Sequence, residues 1–77
     1  MVIRDVDGQV EKALNEIQMK YSRGMEFTIY DLMATSACID AQNFDAYKIM
    51  LEIRISNRGV AGCSGTRNGA RLFKIMK

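Results

Sequence analysis

Residues 57–77 read NRGVAGCSGTRNGARLFKIMK, and this stretch decides the fold. Its last part alternates with a period of two, which is typical of a strand. One side carries Arg71, Phe73 and Ile75, and the other carries Leu72, Lys74 and Met76. Gly65 and the pair Asn68-Gly69 tolerate the positive φ of a tight turn. Because a helical pattern runs into this stretch and stops at Gly59, we expect a helix followed by a two-stranded hairpin.

The chain of 77 residues predicts one small domain, 1–77. A domain of this size buries only ~60–65% of the surface that its unfolded chain exposes. The composition, with 48% apolar and 26% charged residues, is that of a soluble globular protein rather than a disordered one. No run approaches the ~20 apolar residues of a membrane span, and the first residues do not resemble a signal peptide. We therefore expect a cytoplasmic protein that does not bind a membrane.

The residues available for chemistry are few. The chain has two cysteines, Cys38 and Cys63, and no histidine, so Cys and His cannot supply the four ligands of a zinc site. Two free thiols in a reducing compartment are the favoured interpretation, with a disulfide as the alternative. Without histidine the common general base is missing, and a serine or cysteine nucleophile lacks its usual partner. We expect no metal, no cofactor and no enzymatic activity.

The glycine-rich segment 62–69 is the one stretch that suggests a phosphate loop. A Walker loop requires a lysine and Ser/Thr after its last glycine, followed by a helix, whereas Ala70, Arg71 and a strand follow here. Turn formation explains the glycines better, and nucleotide binding is not expected.

Charge is divided unevenly along the chain. Residues 1–42 hold four basic against seven acidic side chains, a net charge of −3. Residues 43–77 hold seven basic against two acidic, a net charge of +5. Such a division is typical of a domain that meets a polyanion on one side, although small domains also segregate charge by chance.

Apolar spacings of three and four from Val10 to Tyr21 predict a first helix over roughly 8–23. We expect Asp7 as its N-cap and Gly24 as the residue just beyond its end. A short extended segment should then direct Phe27 inward. Thr28 and Asp31 are close to a capping box, which predicts a short second helix that starts at Ile29 and buries Ile29, Leu32 and Met33.

A third helix should run from a cap at Asp40 or Asn43 to about Asn57. On a helical wheel its apolar face consists of Phe44, Tyr47, Met50, Leu51 and Ile55, widened by Ala46 and Ile53. Arg54 falls inside this apolar arc, so it must extend to solvent or form an ion pair. The polar strip consists of Asp45, Lys48, Glu52 and Ser56. Ile49 lies between the two faces.

The order helix, short strand, helix, turn, helix, hairpin resembles a winged helix-turn-helix domain. Residues 51–60, LEIRISNRGV, look like the end of that family's recognition helix, and Ile55 takes the place of the leucine-like residue four before the glycine. Phe27-Thr28-Ile29 looks like the strand and cap before its second helix, and residues 71–75 look like its second wing strand. The resemblance implies an α+β fold of three helices with a C-terminal β-hairpin wing, as in small stand-alone bacterial or phage regulators.

The resemblance also implies a transcriptional regulator that binds double-stranded DNA. The third helix would bring Gln42, Asn43, Asp45 and Lys48 to base edges. The wing tip, Thr66, Arg67 and Asn68, would reach the minor groove or phosphates. Arg58, Arg71 and Lys74 would neutralise backbone charge. Lysine and arginine contacts to phosphate dominate affinity, which suits a basic wing.

Two carboxylates on the polar strip of the third helix, Asp45 and Glu52, fit DNA poorly because they would face phosphates across the groove. The alternative is an adaptor or inhibitor with a winged-helix fold that binds a protein rather than DNA. A phage-encoded protein of this kind would bind a host protein. Met19 lies off the apolar stripe of the first helix, and we expect it, with Ile49, to contact a protein partner or a second subunit of a homodimer.

Overall fold

The computed structural model describes residues 2–77, in which three helices lie beside a three-stranded antiparallel sheet in an α+β fold. The elements in chain order are α1 Val6–Lys20, β1 Glu26–Phe27, a 3-10 turn Ile29–Asp31, α2 Met33–Ser36, α3 Phe44–Asn57, β2 Ala61–Arg67 and β3 Ala70–Ile75. The α1 helix packs against both α2 and α3, and the sheet closes the other side of the core.

The first helix occupies Val6–Lys20 rather than residues 8–23. Its N-cap is Asp5, whose Oδ1 accepts from the Gly8 amide at 2.8 Å, so the prediction of Asp7 as the cap was wrong. The helix ends early because Tyr21 is extended and packs its ring 5.0 Å from that of Phe27. Gly24, with φ +90°, belongs to the following turn, where its amide donates to the Ile75 carbonyl.

The second helix is split. Asp31 does cap Thr28, accepting from its amide at 2.8 Å, but only one 3-10 turn follows. Leu32 then becomes extended, with φ −90° and ψ 139°, and is completely buried before α2 begins at Met33. The break allows Leu32 to enter the core and turns Met33 outward to 69% exposure, so the expected burial of Met33 was wrong.

The third helix runs over Phe44–Asn57, and Gly59 terminates it with φ +63°. Tyr47, Leu51 and Ile55 are fully buried, as expected. Ala46 and Ile53 do not widen the buried face; both are exposed, and Ile53 has 52% of its surface accessible. The core below α3 is filled by α1 and the sheet, which leaves this flank of α3 uncovered.

The terminal hairpin, Ala61–Ile75, forms as the sequence predicts. Asn68 and Gly69 both have positive φ, +52° and +81°, and form a two-residue turn between β2 and β3. The hairpin joins the domain through β3, the central strand in the order β1-β3-β2. Phe73 and Ile75 face the core, where the Phe73 ring lies 5.7 Å from that of Phe27. Between Cys63 and Gly65 the register shifts at a bulge.

Candidate nucleic-acid interface

A cleft of about 430 Å³ separates the terminal hairpin from α3 and the 3-10 turn. We call it the hairpin cleft and define it by three cations, Lys48, Arg67 and Arg71, and by Tyr30, Asp31 and Glu52. Arg71 Nη1 donates to Glu52 Oε2 at 3.0 Å, and Arg67 Nη1 donates to Asp31 Oδ2 at 3.4 Å. The hairpin is thus linked to both helical segments that flank the cleft.

Lys48 lies on the side of α3 that faces the cleft. Its Nζ sits 6.0 Å above the centre of the Tyr30 ring, at the outer limit of a cation–π contact. The Tyr30 ring is itself held beside Phe44, with ring centres 6.3 Å apart. Lys48 is half-buried and, among residues 2–77, has no carboxylate partner. Its charge is therefore available to an anion that enters the cleft.

The remaining predicted hairpin residues are accessible. Thr66 and Asn68 are exposed at the tip, beside Arg67. Lys74 is exposed on β3 in register with Gly62 and Glu26, on the sheet face turned away from the helices. The structure therefore brings Lys48, Thr66, Arg67, Asn68 and Arg71 to one edge of the domain and leaves Lys74 elsewhere on the hairpin.

Asn43 has a structural partner. Its Oδ1 accepts from the Ile3 amide at 2.6 Å, and its Nδ2 donates to the Ile3 carbonyl at 2.9 Å. This reciprocal pair ties the N-terminal segment to the start of α3 and occupies both ends of the amide. A base contact by Asn43 would require both bonds to break. Its neighbour Gln42 is exposed.

Arg58, predicted to contact phosphate, also pairs within the chain. Its Nη2 lies 2.9 Å from Glu11 Oε2, and the same carboxylate accepts from Arg54 Nη1 at 2.7 Å. Arg54 additionally pairs with Asp7. Although Arg54 lies inside the apolar arc of α3, these ion pairs satisfy its charge. The bond from Arg58, partly opposed by desolvation and reinforced by Arg54, lowers the pKa of the Glu11 carboxyl. This cluster fastens α3 to α1.

The outer face of α3 carries no cation. We define it as Asp45, Ala46, Ile49, Ile53 and Ser56, all exposed. Ile49 is 60% exposed, in agreement with its position on the helical wheel. Asp45 has no ion pair within the described residues 2–77. Met19, at 86% exposure, lies near the end of α1.

Sequence reasoning missed two contributors to the hairpin cleft. Asp31 was interpreted only as a helix cap, yet its Oδ2 accepts from both the Thr28 amide and Arg67. Nothing in the sequence around Tyr30 indicates that it lines a cleft, because an aromatic residue in a short helix is usually assigned to the core. The sequence predicts that Asp31 caps the turn at Thr28. It does not predict the distance between Asp31 and Arg67, because that distance depends on how the hairpin packs against the rest of the chain.

The cysteines are separate and free. Cys38 is buried, its Sγ donating to the Ala34 carbonyl at 3.2 Å, and burial raises the pKa of its thiol. Cys63 is exposed on β2. Within residues 2–77 no group of three or more Cys, Asp or Glu side chains is arranged to hold a metal ion. No helix in the described part of the chain is both long and apolar enough to cross a membrane.

Comparison with known proteins gives no match to any family model, curated protein or solved structure.

Proposed function

We propose that this chain is a winged helix-turn-helix domain that binds double-stranded DNA, as a transcriptional regulator, and that the terminal hairpin is its wing. The supporting observation is the position of the hairpin. It stands beside α3, with Arg67, Arg71 and Lys48 around one cleft and a tight polar turn at its tip. A winged helix requires a basic hairpin next to its third helix, and this arrangement supplies one.

The carboxylates in the hairpin cleft do not prevent its cations from binding phosphate. Arg67 and Arg71 are 47% and 55% exposed, and ion pairs at such positions contribute only about 0–1 kcal/mol. A DNA duplex presents one phosphate charge for about every 1.7 Å of its axis, so it competes well for guanidinium groups held this weakly. Arginine also forms bidentate contacts with phosphate, which lysine cannot.

The outer face of α3 fits the DNA surface poorly. It offers Asp45 and two exposed isoleucines and no cation, whereas phosphates line both sides of the major groove. We therefore assign DNA contact to the wing, with Arg67 and Arg71 on phosphates and Thr66 and Asn68 at the tip. Lys48 contributes from the cleft side of α3. This division predicts affinity with modest sequence preference, because phosphate contacts position a protein without reading bases.

The test is fluorescence anisotropy of labelled duplexes titrated with the full chain at about 50 to 200 mM salt. We expect the logarithm of affinity to fall linearly with the logarithm of salt concentration. Arg67→Ala and Arg71→Ala should each weaken binding to every duplex alike and reduce the salt slope by about 1. Arg4→Ala is the matched control, because Arg4 is exposed and lies beside Ala37 and Cys38, outside the wing. Absence of binding at 50 mM salt would overturn the proposal.

A second candidate is a protein-binding winged helix, an adaptor or inhibitor directed at an acidic protein surface. It is favoured by the pairing of Arg67 with Asp31 and of Arg71 with Glu52, because carboxylates of a target could replace those of the chain itself. Capture from a nuclease-treated lysate separates the two candidates. A stoichiometric protein that survives nuclease and is lost with Arg67→Ala and Arg71→Ala favours the second.

A further inference from the structure

The turn at the tip of the terminal hairpin joins an asparagine to a glycine. Asn68 and Gly69 are both exposed, and they connect β2 to β3 beyond the pair of Arg67 with Ala70. Within residues 2–77 the Gly69 amide makes no backbone hydrogen bond. A Cβ atom added at Gly69 would meet nothing within 4 Å. The backbone nitrogen that follows the Asn68 side chain is therefore neither hydrogen-bonded to the backbone nor covered by other atoms.

We propose that Asn68 is a site of spontaneous modification, at which water converts the side-chain amide to a carboxylate. The backbone nitrogen of Gly69 loses its proton to solvent and attacks Cγ of Asn68. A bond forms between these two atoms, the bond from Cγ to Nδ2 breaks, and Nδ2 takes up a proton and leaves as ammonia. Water then opens the resulting succinimide ring at either of its two carbonyl carbons. The products are aspartate and isoaspartate at position 68, and the reaction consumes no oxidant or reductant.

The fold distinguishes this site from the other place where glycine follows a side chain of the same length, Asp7-Gly8. Both residues lie in α1, whose helical backbone fixes the Gly8 nitrogen, and the Gly8 amide donates to Asp5 Oδ1 at 2.8 Å. The Asp7 carboxylate pairs with Arg54, and the carbon of an ionised carboxylate resists a nucleophile. The same chemistry is therefore blocked in α1 and open at the hairpin tip.

The other three asparagines of the chain each precede a residue with a bulky side chain, which hinders attack by its backbone nitrogen. They are Asn15 before Glu16, Asn43 before Phe44, and Asn57 before Arg58. Asn15 and Asn57 lie within helices, and the amide of Asn43 is bonded at both ends to the backbone of Ile3. We therefore expect the modification at Asn68 and at no other asparagine.

The hairpin tip sets the rate of the reaction. Asn68 has a φ of +52°, and ring closure requires its backbone to rotate out of this left-handed conformation. A turn at an exposed tip opens locally without global unfolding. We expect the folded chain to react, but more slowly than a short peptide of the same sequence.

The product changes both the charge and the backbone of the tip. The new carboxylate lies next to Arg67 and lowers the formal net charge of +2 by one. Isoaspartate also inserts a methylene group into the main chain, which a two-residue hairpin turn does not accommodate. The effect on DNA rests on the proposed function, because a negative charge at the wing tip repels phosphates.

The modification is tested by ageing the full chain at mildly alkaline pH beside a synthetic peptide of residues 64–73. Ion-exchange chromatography should show a more acidic form that increases with time, and peptide mass spectrometry should locate it at Asn68. In water enriched in oxygen-18, the new carboxylate should carry the label. Asn68→Gly is the matched control, since glycine accepts the positive φ of this turn and cannot react. A wild-type chain that stays unmodified after the peptide has fully reacted, or an acidic form that persists in Asn68→Gly, overturns the proposal.

The effect on DNA is measured separately, by anisotropy with the purified unmodified and modified forms. We expect the modified form to bind every duplex several-fold more weakly, and Asn68→Asp to reproduce the part that is due to charge. Equal affinities of the two forms would overturn the effect at the wing. Absence of binding by both forms would overturn the proposed function, whereas the chemistry at Asn68 is decided by the ageing experiment alone.

Discussion

Arg71 of the terminal hairpin and Glu52 of α3 form a 3.0 Å ion pair that joins the two sides of the hairpin cleft. Glu52 is the less exposed partner, with 25% of its side chain accessible against 55% for Arg71. The pair holds the hairpin against α3, and it also places a negative charge beside the surface that we assign to DNA. The effect of this pair on stability can be separated from its effect on DNA affinity. An exposed ion pair contributes little to the free energy of unfolding, whereas a charge next to phosphates changes the affinity for DNA.

Glu52→Gln should therefore strengthen DNA binding by about threefold to tenfold and steepen the salt dependence, since it frees Arg71 and removes a carboxylate. The free energy of unfolding should change by less than about 1 kcal/mol. Anisotropy and urea denaturation measure the two quantities. Asp40→Asn, the same charge change at an exposed residue that makes no ion pair within residues 2–77, should leave affinity nearly unchanged. Weaker binding by Glu52→Gln would show that the pair positions Arg71 rather than restrains it.

Asn43→Ala should destabilise the domain. It removes the two hydrogen bonds to Ile3, of 2.6 and 2.9 Å, and leaves both backbone groups of Ile3 without their partner. Ile3 is buried, so we expect a loss of about 1–3 kcal/mol in urea denaturation and faster hydrogen exchange near the N-terminus. Gln42→Ala, at the exposed neighbouring position, should stay within about 0.5 kcal/mol. Unchanged stability together with weaker DNA binding would instead assign Asn43 to base contact.

Glu16 should make stability dependent on acid pH. Its Oε atoms accept from the amides of Met33 and Ala34 at 2.7 and 3.1 Å, which satisfies the start of α2. Desolvation opposes ionisation, but these bonds and Lys20 outweigh it and lower the pKa of Glu16 below its ordinary value of 4.5. A lowered folded-state pKa contributes stability that is present above pH 4.5 and is lost as pH falls through the folded value.

The comparison of wild type with Glu16→Gln measures this effect. The wild type should be the more stable at pH 7, and the difference should shrink between about pH 4.5 and pH 3 in urea denaturation. Lys20→Met is the control, because it removes only the ion pair of Glu16 within α1, in which Lys20 is the more exposed partner. At pH 7 the stability of Lys20→Met should differ from that of the wild type by less than the stability of Glu16→Gln does. A wild-type advantage over Glu16→Gln that stays constant from pH 7 to pH 3 would contradict the prediction.

Tyr47 should make stability dependent on alkaline pH. Its hydroxyl is buried and shares a 2.8 Å hydrogen bond with Thr35 Oγ1. Burial raises the pKa of Tyr47 to about 12, from an ordinary value of 10.0. A raised folded-state pKa contributes stability that is present below pH 10 and is lost as pH rises toward 12, because the unfolded chain ionises first.

The expected loss is roughly 2–3 kcal/mol, since one pKa unit corresponds to about 1.36 kcal/mol. The double variant Tyr47→Phe with Thr35→Val removes the titrating group without leaving a buried hydroxyl unpaired. Its urea denaturation should show a smaller decline between pH 10 and pH 12 than that of the wild type. Parallel declines in the two proteins would mean that Tyr47 ionises in the folded state at its ordinary pKa.

The predictions from sequence succeeded where the signal is local. The Asn68-Gly69 turn, the alternation that buries Phe73 and Ile75, and the glycine that ends α3 depend on neighbouring residues alone. They failed where a distant contact competes with local preference. Tyr21 and Leu32 leave helical geometry because the core offers each side chain more burial than another helical turn would.

The charges of the chain also show a difference between what the sequence determines and what folding decides. The amino-acid sequence by itself determined that the acidic half and the basic half differ, with net charges of −3 and +5 in residues 1–42 and 43–77. Only the tertiary structure decided how much of that basic charge stays available. It pairs Arg54 and Arg58 with Glu11, and Arg67 with Asp31, across the two halves. Opposite charges within a few ångströms neutralise each other whatever their separation along the chain, and folding alone sets that distance.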